Sequence, residues 1–347
     1  MLELPEAFES TGVSCSVFAC GHARGFLLDR QVKCNELLVG AEPQEILSMY
    51  RPRLLLAGTS QNPDSPVLAL IDEFKKQRLP TVAFVDMAAD ADLRFKGRSE
   101  APLKHEPDCL LVVDRTTETA FLKLGFPASH IHISGHPAYD RVRSRAKDLA
   151  KYDLSWLRRK VLGSEPFPRP VWVFAAEHGG DDPRQRRGPD YTLHGWGGAD
   201  RRVDIVFEEI LDARALMSPR PFLAVRLHPK NNREEFARYL QEVDMISQGG
   251  DALELIWTSD LVLGMSSILL MEAALVGRPT LSVVPRESES TWSPSVTEGL
   301  TPCVTTRADL KSILGRKNVT GCASFEADSV FKVIDAVLGQ LRNHSHV

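Results

Sequence analysis

The chain has 347 residues, with 42 Lys+Arg against 46 Asp+Glu, a formal net charge of -4 and 43% hydrophobic residues. Mixed charges of this density exclude both a disordered chain and a polybasic nucleic-acid binder. At about 150 residues per domain the length suggests two domains, each large enough for its own core.

The six cysteines (Cys15, Cys20, Cys34, Cys109, Cys303, Cys322) include no C-x-x-C pair. That argues against a zinc cage or a disulfide framework and suits a reducing cytosol. No apolar run reaches about 18 residues, and the N-terminus lacks a signal pattern, so a soluble cytoplasmic protein is expected.

In chain order, Leu2–Ser10 reads as a helix closing at Gly12. Apolar, β-rich runs follow at Val13–Cys20, Arg53–Ala57, Thr81–Val85, Cys109–Val113 and His130–Ser134, with helices at Pro66–Arg78 and Thr116–Leu124 between them. Strands apolar throughout are those covered by helices on both faces, so the class is α/β with parallel sheets. The second half repeats the rhythm: strands at Val171–Ala175, Phe222–Arg226, Leu261–Leu263 and Thr280–Val284, and helices at Val203–Met217, Arg233–Val243 and Ser267–Val276. The proline-rich run Gly163–Pro170 separates an N-terminal domain, 1–163, from a C-terminal one, 171–324. A last helix, 325–341, carries its apolar residues largely along one face and is expected to dock back across the junction. His178–Asp200 is too long, Gly-rich and charged for a packed element; it reads as a functional lid or a disordered insertion. A helix with no strand before it is unusual for a doubly wound domain, whose first strand tip normally carries a ligand loop. Either the chain decorates its first strand, or the true first strand lies upstream of Met1.

The segment Asp260–Pro285 reads as strand, tight turn, helix, Gly stop, strand. Gly264 would let the backbone approach a ligand, and Ser266 and Ser267 sit where the helix begins, offering free N–H groups and partial positive charge to a phosphate. Glu272 is the lone acid in an apolar helix, and a pair of ribose hydroxyls would satisfy it. Helix capping and a Glu272–Arg278 ion pair would explain the same residues without a ligand. The strand ending at Arg226 leads into His228-Pro229-Lys230. Carboxyl ends of strands are where open α/β sheets gather ligands, so His228 would face the same crevice as Ser266; a loop-capping histidine is the alternative.

In the first half the strand tips carry His22, Thr59, Ser60, Asp86 and His136. Asp86 and His136 are candidates for acid–base work, whereas turn chemistry accounts for Gly, Asn, Asp and Pro at such places anyway. Asn318-Val319-Thr320 fits a glycosylation acceptor pattern. There is no G-x-G-x-x-G after a strand, no P-loop, no G-x-S-x-G and no H-E-x-x-H, and Asp181-Asp182 is too weak an acidic pair to argue for a metal.

The segments ISGHPAYDRV, VRLHPKNN and SDLVLGMSSILLMEAALVGRPTLSVVP resemble the GT-B superfamily, in the branch of the UDP-N-acetylglucosamine 2-epimerases and CDP-glycerol glycerophosphotransferase-like proteins. The similarity is best over Leu223–Pro285 and weaker, but colinear, over Arg53–Val142. The resemblance implies two Rossmann-like domains facing a central cleft, with a nucleotide donor held mainly by the C-terminal one. It places His228 near the donor phosphates, Ser266 and Ser267 at the diphosphate and Glu272 at the ribose; Arg226, Lys230 and Gly264 complete the expected donor-binding set. His22, Thr59 and Ser60 fall on the acceptor side.

Two departures stand out. Thr59 stands where the epimerases carry a catalytic Asp, and Asp86 falls where they use a Glu. In the family the first strand lies in the middle of the N-terminal sheet, so this domain is expected to lack it.

The resulting expectation is a metal-independent glycosyltransferase-like protein using a UDP- or CDP-linked sugar or polyol phosphate, and an unknown acceptor, in cell-envelope or secondary glycan synthesis. Asp86 or His136 would be the base and His228 would stabilise the leaving phosphate. A sugar-nucleotide 2-epimerase or hydrolase, and a non-catalytic binder, are the alternatives. No cofactor, metal or nucleic acid is expected, and peripheral contact with a membrane is left open.

Overall fold

The computed structural model describes residues 3–38, 40, 42–163, 168–179, 185–315 and 328–344. Its contacts divide the chain into two compact units, Met1–Asp140 with Ala327–Val347, and Arg141–Glu326.

The first unit holds two parallel sheets. Strands β1 (Phe18–Ala19) and β2 (Asn35–Glu36) pair with each other. Strands β3 (Leu55–Gly58), β4 (Thr81–Val85), β5 (Cys109–Val112) and β6 (Ile131–Ile133) form a second sheet in that order. Alternate residues of its central strands enter opposite layers, as the two-residue period of a strand requires. Ala83, Val85, Leu110 and Val112 pack with Leu68, Ile71 and Phe121. Val82, Phe84, Cys109 and Leu111 pack under Leu4 and Phe8 of the helix Leu4–Ser10 and Val333, Ile334 and Val337 of the helix Ser329–His344. The C-terminal helix therefore docks on the N-terminal sheet.

The strand expected over Val13–Cys20 is largely absent. Only Phe18–Ala19 join a ladder, while Val13 and Cys15 pack beside Leu54 and Leu56. Among the described residues no strand bridges β1 to β3; each has one ladder partner, β2 and β4 respectively.

The second unit is one six-stranded parallel sheet of β7 (Val171–Ala175), β8 (Phe222–Arg226), β9 (Met245–Ser247), β10 (Leu261–Gly264), β11 (Thr280–Val283) and β12 (Cys303–Val304). The order is β12-β11-β10-β7-β8-β9. Strand order runs outward in both directions from β7, so the chain reverses between β7 and β10. That switch point is where open α/β sheets take their ligands. β2, β9 and β12 were not expected: they are two or three residues long and sit at sheet edges, too short for an apolar run to announce them.

The contact division falls between Asp140 and Arg141, inside the helix Pro137–Leu149, rather than over 163–171; residues 164–167 and 325–327 lie outside the described residues. The helix Leu154–Leu162 belongs with the second unit because buried Arg158 donates to the Thr258 carbonyl at 2.9 Å and to Asp260 at 2.7 Å, and Leu162 enters that unit's core. Arg145 adds bonds to Asp251 and Glu254, each at 2.8 Å.

Over 185–200 the expected lid or disordered insertion is instead a packed strap. Tyr191 and Leu193 are buried. The buried helix Arg202–Ala215 supplies the acceptors: Glu209 takes the amides of His194 and Gly195 at 3.1 and 2.9 Å, and Glu208 takes that of Trp196 at 2.7 Å. Two buried carboxylates satisfy a backbone that its own sequence leaves unpaired. Residues 180–184, including Asp181-Asp182, and the Asn318-Val319-Thr320 tripeptide lie outside the described residues. The helix expected over Arg233–Val243 is a 3-10 run, Arg233–Tyr239, opened by a capping box of Asn232 and Glu235.

Candidate functional site

In the second unit the chemistry gathers where β7, β8 and β10 end. Ser267 is the N-cap of the helix Ile268–Leu275; its hydroxyl accepts the Leu269 amide at 3.3 Å. One residue earlier, the Ser266 amide and hydroxyl are both taken. Glu177, two residues past β7, accepts the amide at 2.5 Å and the hydroxyl at 3.0 Å. Arg202 holds the same carboxylate from behind at 2.7 Å, reaches the Ser266 hydroxyl at 3.4 Å and pairs with fully buried Glu289.

His228 follows β8. Its ring Nδ1 accepts the Lys230 amide at 3.2 Å, which leaves the proton of the neutral ring on Nε2. Its ring stacks with that of His178, centroids 6.3 Å apart. Burial lowers the His228 pKa, the His178 and Lys230 charges lower it further, and Glu177 opposes them. His228 is therefore a neutral hydrogen-bond donor near pH 7.

Glu272, on the inner turn of the helix, is partly buried and accepts no hydrogen bond from any described residue. Burial raises its pKa, with Arg141 and Arg226 pulling it down and Asp251 pushing it up. The local pairing with Arg278 is not made: that guanidinium lies 4.6 Å over the Trp257 ring.

One member of the expected donor-binding set has backbone and side-chain partners of its own. Arg226 donates to the Ser247 hydroxyl at 3.0 Å and to the Gly249 and Gly250 carbonyls, so it ties down the turn after β9. A Cβ at Gly264 would meet Ala175 and Leu270 at 3.4 and 3.5 Å, ordinary van der Waals contact, so packing does not demand a glycine there. Lys230 is exposed beside His228.

In the first unit, the tips of β3 and β4 bring Thr59, Asp86 and a residue the sequence reading missed, Arg94. The guanidinium of Arg94 is buried, pairs with Asp86 at 3.2 Å and reaches the Thr59 hydroxyl at 3.4 Å; that hydroxyl donates to the Phe84 carbonyl at 3.3 Å. His136 lies against the edge of Phe84 and stacks on Tyr139. Its Nδ1 accepts the Ala138 amide at 3.1 Å, so Nε2 carries the proton. Burial drives its pKa down to about 4 against the attraction of Asp86 and Glu3. This geometry makes His136 a neutral hydrogen-bond donor. The Ser60 hydroxyl accepts the Asn62 amide at 3.1 Å, which is turn chemistry. His22 sits in the helix Gly21–Leu28, and its side chain lies outside the described residues.

Glu177, His178 and Arg202 were also missed. Glu177 and His178 come two and three residues after the wholly apolar strand Val171–Ala175, the same strand-tip signal that flags His228; His178 opens the stretch that reads as a loop, and Glu177 lies just before it. Among the described residues there is no cluster of three or more His, Cys, Asp or Glu fit to hold a metal, and no helix long and apolar enough to cross a membrane.

No protein-family model matches the chain, and no curated protein does. Solved structures do. UDP-GlcNAc 2-epimerase from Neisseria meningitidis, bound to UDP-GlcNAc, superposes with a TM-score of 0.66 at 13% identity, covering 98% of this chain and 96% of that one. The putative UDP-N-acetylglucosamine 2-epimerase from Listeria monocytogenes gives 0.64 at 17% identity, covering 99% and 92%. Anabaena HepE in complex with UDP gives 0.56 at 12% identity, covering 99% and 93%. The chain thus has the GT-B-like fold, in the form taken by the UDP-GlcNAc 2-epimerases.

Proposed function

We propose that this chain binds a uridine-diphospho sugar at the carboxyl ends of β7, β8 and β10 and acts on the donor itself, by isomerising the sugar or cleaving it. The observation that carries the reading is Glu272: a partly buried carboxylate without a hydrogen-bond donor, on the helix that the switch-point turn of serines opens. A ribose offers two hydroxyl donors to such a group. Ser267 and the Nε2 proton of His228 supply neutral donors to a diphosphate, whose negative charge grows as the sugar bond loosens.

In the first unit Asp86, paired to Arg94, is the group that takes a proton, and neutral His136 is the one that donates a hydrogen bond. Neighbours of the same fold are UDP-GlcNAc 2-epimerases, crystallised with UDP-GlcNAc or UDP, which favours donor-side chemistry over the transfer to an acceptor expected from the sequence. Thr59, in the place where the resemblance implies an Asp, leaves one acid for the proton work. Isomerisation here would therefore use Asp86 with His136 rather than two carboxylates.

Calorimetric titration of UDP into the wild-type protein and Glu272→Ala tests the binding half. The variant should lose about 1–3 kcal/mol of binding free energy while its melting temperature holds. A variant that unfolds, beside a wild type with no affinity for UDP, would show Glu272 to be structural.

A further inference from the structure

Three donors converge on the carboxylate of Glu177: the Ser266 amide at 2.5 Å, the Ser266 hydroxyl at 3.0 Å and Arg202 Nη1 at 2.7 Å. Two of the three, the amide and the guanidinium, do not depend on Glu177 for their place. The amide belongs to the turn between β10 and its helix. Arg202, 1% exposed, is anchored by fully buried Glu289 and lies 5.3 Å over the Trp292 ring. Glu177, by contrast, is 17% exposed and hangs from the loop past the end of β7. Fixed donors around a two-oxygen anion suit a phosphoryl group as well as a carboxylate. Their location is the switch point of the sheet, between β7 and β10.

We propose that Glu177 is a specificity-determining residue of this site: it is a resident competitor for the three donors, and a phosphoryl group binds by displacing it. The proposal rests on the reading of this turn as the seat of the ligand's diphosphate. While Glu177 stays in place, its charge repels a second anion from the turn. When it leaves, Arg202 loses half of its compensation, and a neutral hydroxyl does not restore it. A phosphoryl group does, through two oxygens and a full negative charge. Glu177 thereby filters ligands by charge: anions able to take over all three donors enter, and neutral or weakly charged analogues do not. Its carboxylate, released, faces solvent.

The test uses inorganic pyrophosphate, which carries the charge without the nucleoside. Calorimetric titration compares wild type, Glu177→Gln and Glu177→Ala, with thermal unfolding of each to monitor the fold. Glu177→Gln keeps the shape and removes the charge, so pyrophosphate should bind it at least tenfold more tightly than wild type, and Glu177→Ala should follow. Equal or weaker affinity in a folded Glu177→Gln, or no pyrophosphate binding by either protein, overturns the proposal. A crystal of wild type soaked in pyrophosphate gives a readout free of any folding defect. Glu177 turned away from Ser266 supports displacement, and pyrophosphate bound with Glu177 still on Ser266 overturns it. UDP binding no better than pyrophosphate would sink the nucleotide reading while leaving the displacement intact; UDP binding that ignores Glu177→Gln would do the reverse.

Discussion

At the scale of single residues, environment rather than identity decides what a histidine does. His136 and His228 both give Nδ1 to a backbone amide two residues on, and both are pushed toward the neutral form by burial. His136 carries the larger consequence. Its folded pKa, about 4, lies below the ordinary 6.5, so the unfolded chain binds its proton first. The stability that neutral His136 permits is therefore full above pH 6.5 and is lost as pH falls toward 4, by roughly 3 kcal/mol for a shift of this size. Ring-proton NMR should place its titration midpoint near 4, and His136→Gln should flatten the decline in stability between pH 6.5 and 4. A midpoint near 6.5 would mean the ring is solvated. Composition offers no route to this result: the sequence shows a histidine before a proline, and the cause is its packing against Phe84 and Tyr139.

At the scale of elements, what was legible followed from apolar runs at strand length. Val171–Ala175, Phe222–Arg226 and Thr81–Val85 are strands at their expected limits because helices cover both faces. Elements that depend on distant partners were not legible. The strap over 185–200 looks unpackable until the two glutamates of the helix Arg202–Ala215 are brought to its amides. Those glutamates in turn look like the polar face of a surface helix. Glu209→Ala should cost about 1–3 kcal/mol in denaturant unfolding. Amide exchange at His194 and Gly195 should accelerate with it, since Glu209 accepts both protons. Unchanged protection there would mean that the other contacts of the strap, among them the Trp196 amide on Glu208 and buried Tyr191 and Leu193, hold it without Glu209.

The same contrast applies to the candidate site. Ser266, His228 and Glu272 were legible from strand–turn–helix punctuation and a lone acid in an apolar run. Glu177 and Arg202 were not, because their meaning lies in a contact between residues 89 apart, from Glu177 to Ser266. Arg226 was legible as a strand-tip cation, but its partners are backbone carbonyls of a turn that only the fold brings near.

At the scale of the whole molecule, the six-stranded sheet reverses at β7 and β10, and Glu177 and Ser266 meet at that reversal. The GT-B-like fold is shared with UDP-GlcNAc 2-epimerases over nearly the full length of both chains at 13% identity, so layers and strand order persist where side chains have turned over. The most direct measurement is incubation of the purified protein with UDP-GlcNAc and no acceptor, followed by NMR of the sugar and phosphate signals. Donor-side chemistry expects a new UDP-sugar epimer, or UDP with free sugar, at a rate that Asp86→Asn abolishes. UDP-GlcNAc that stays unchanged until an acceptor is added would contradict it.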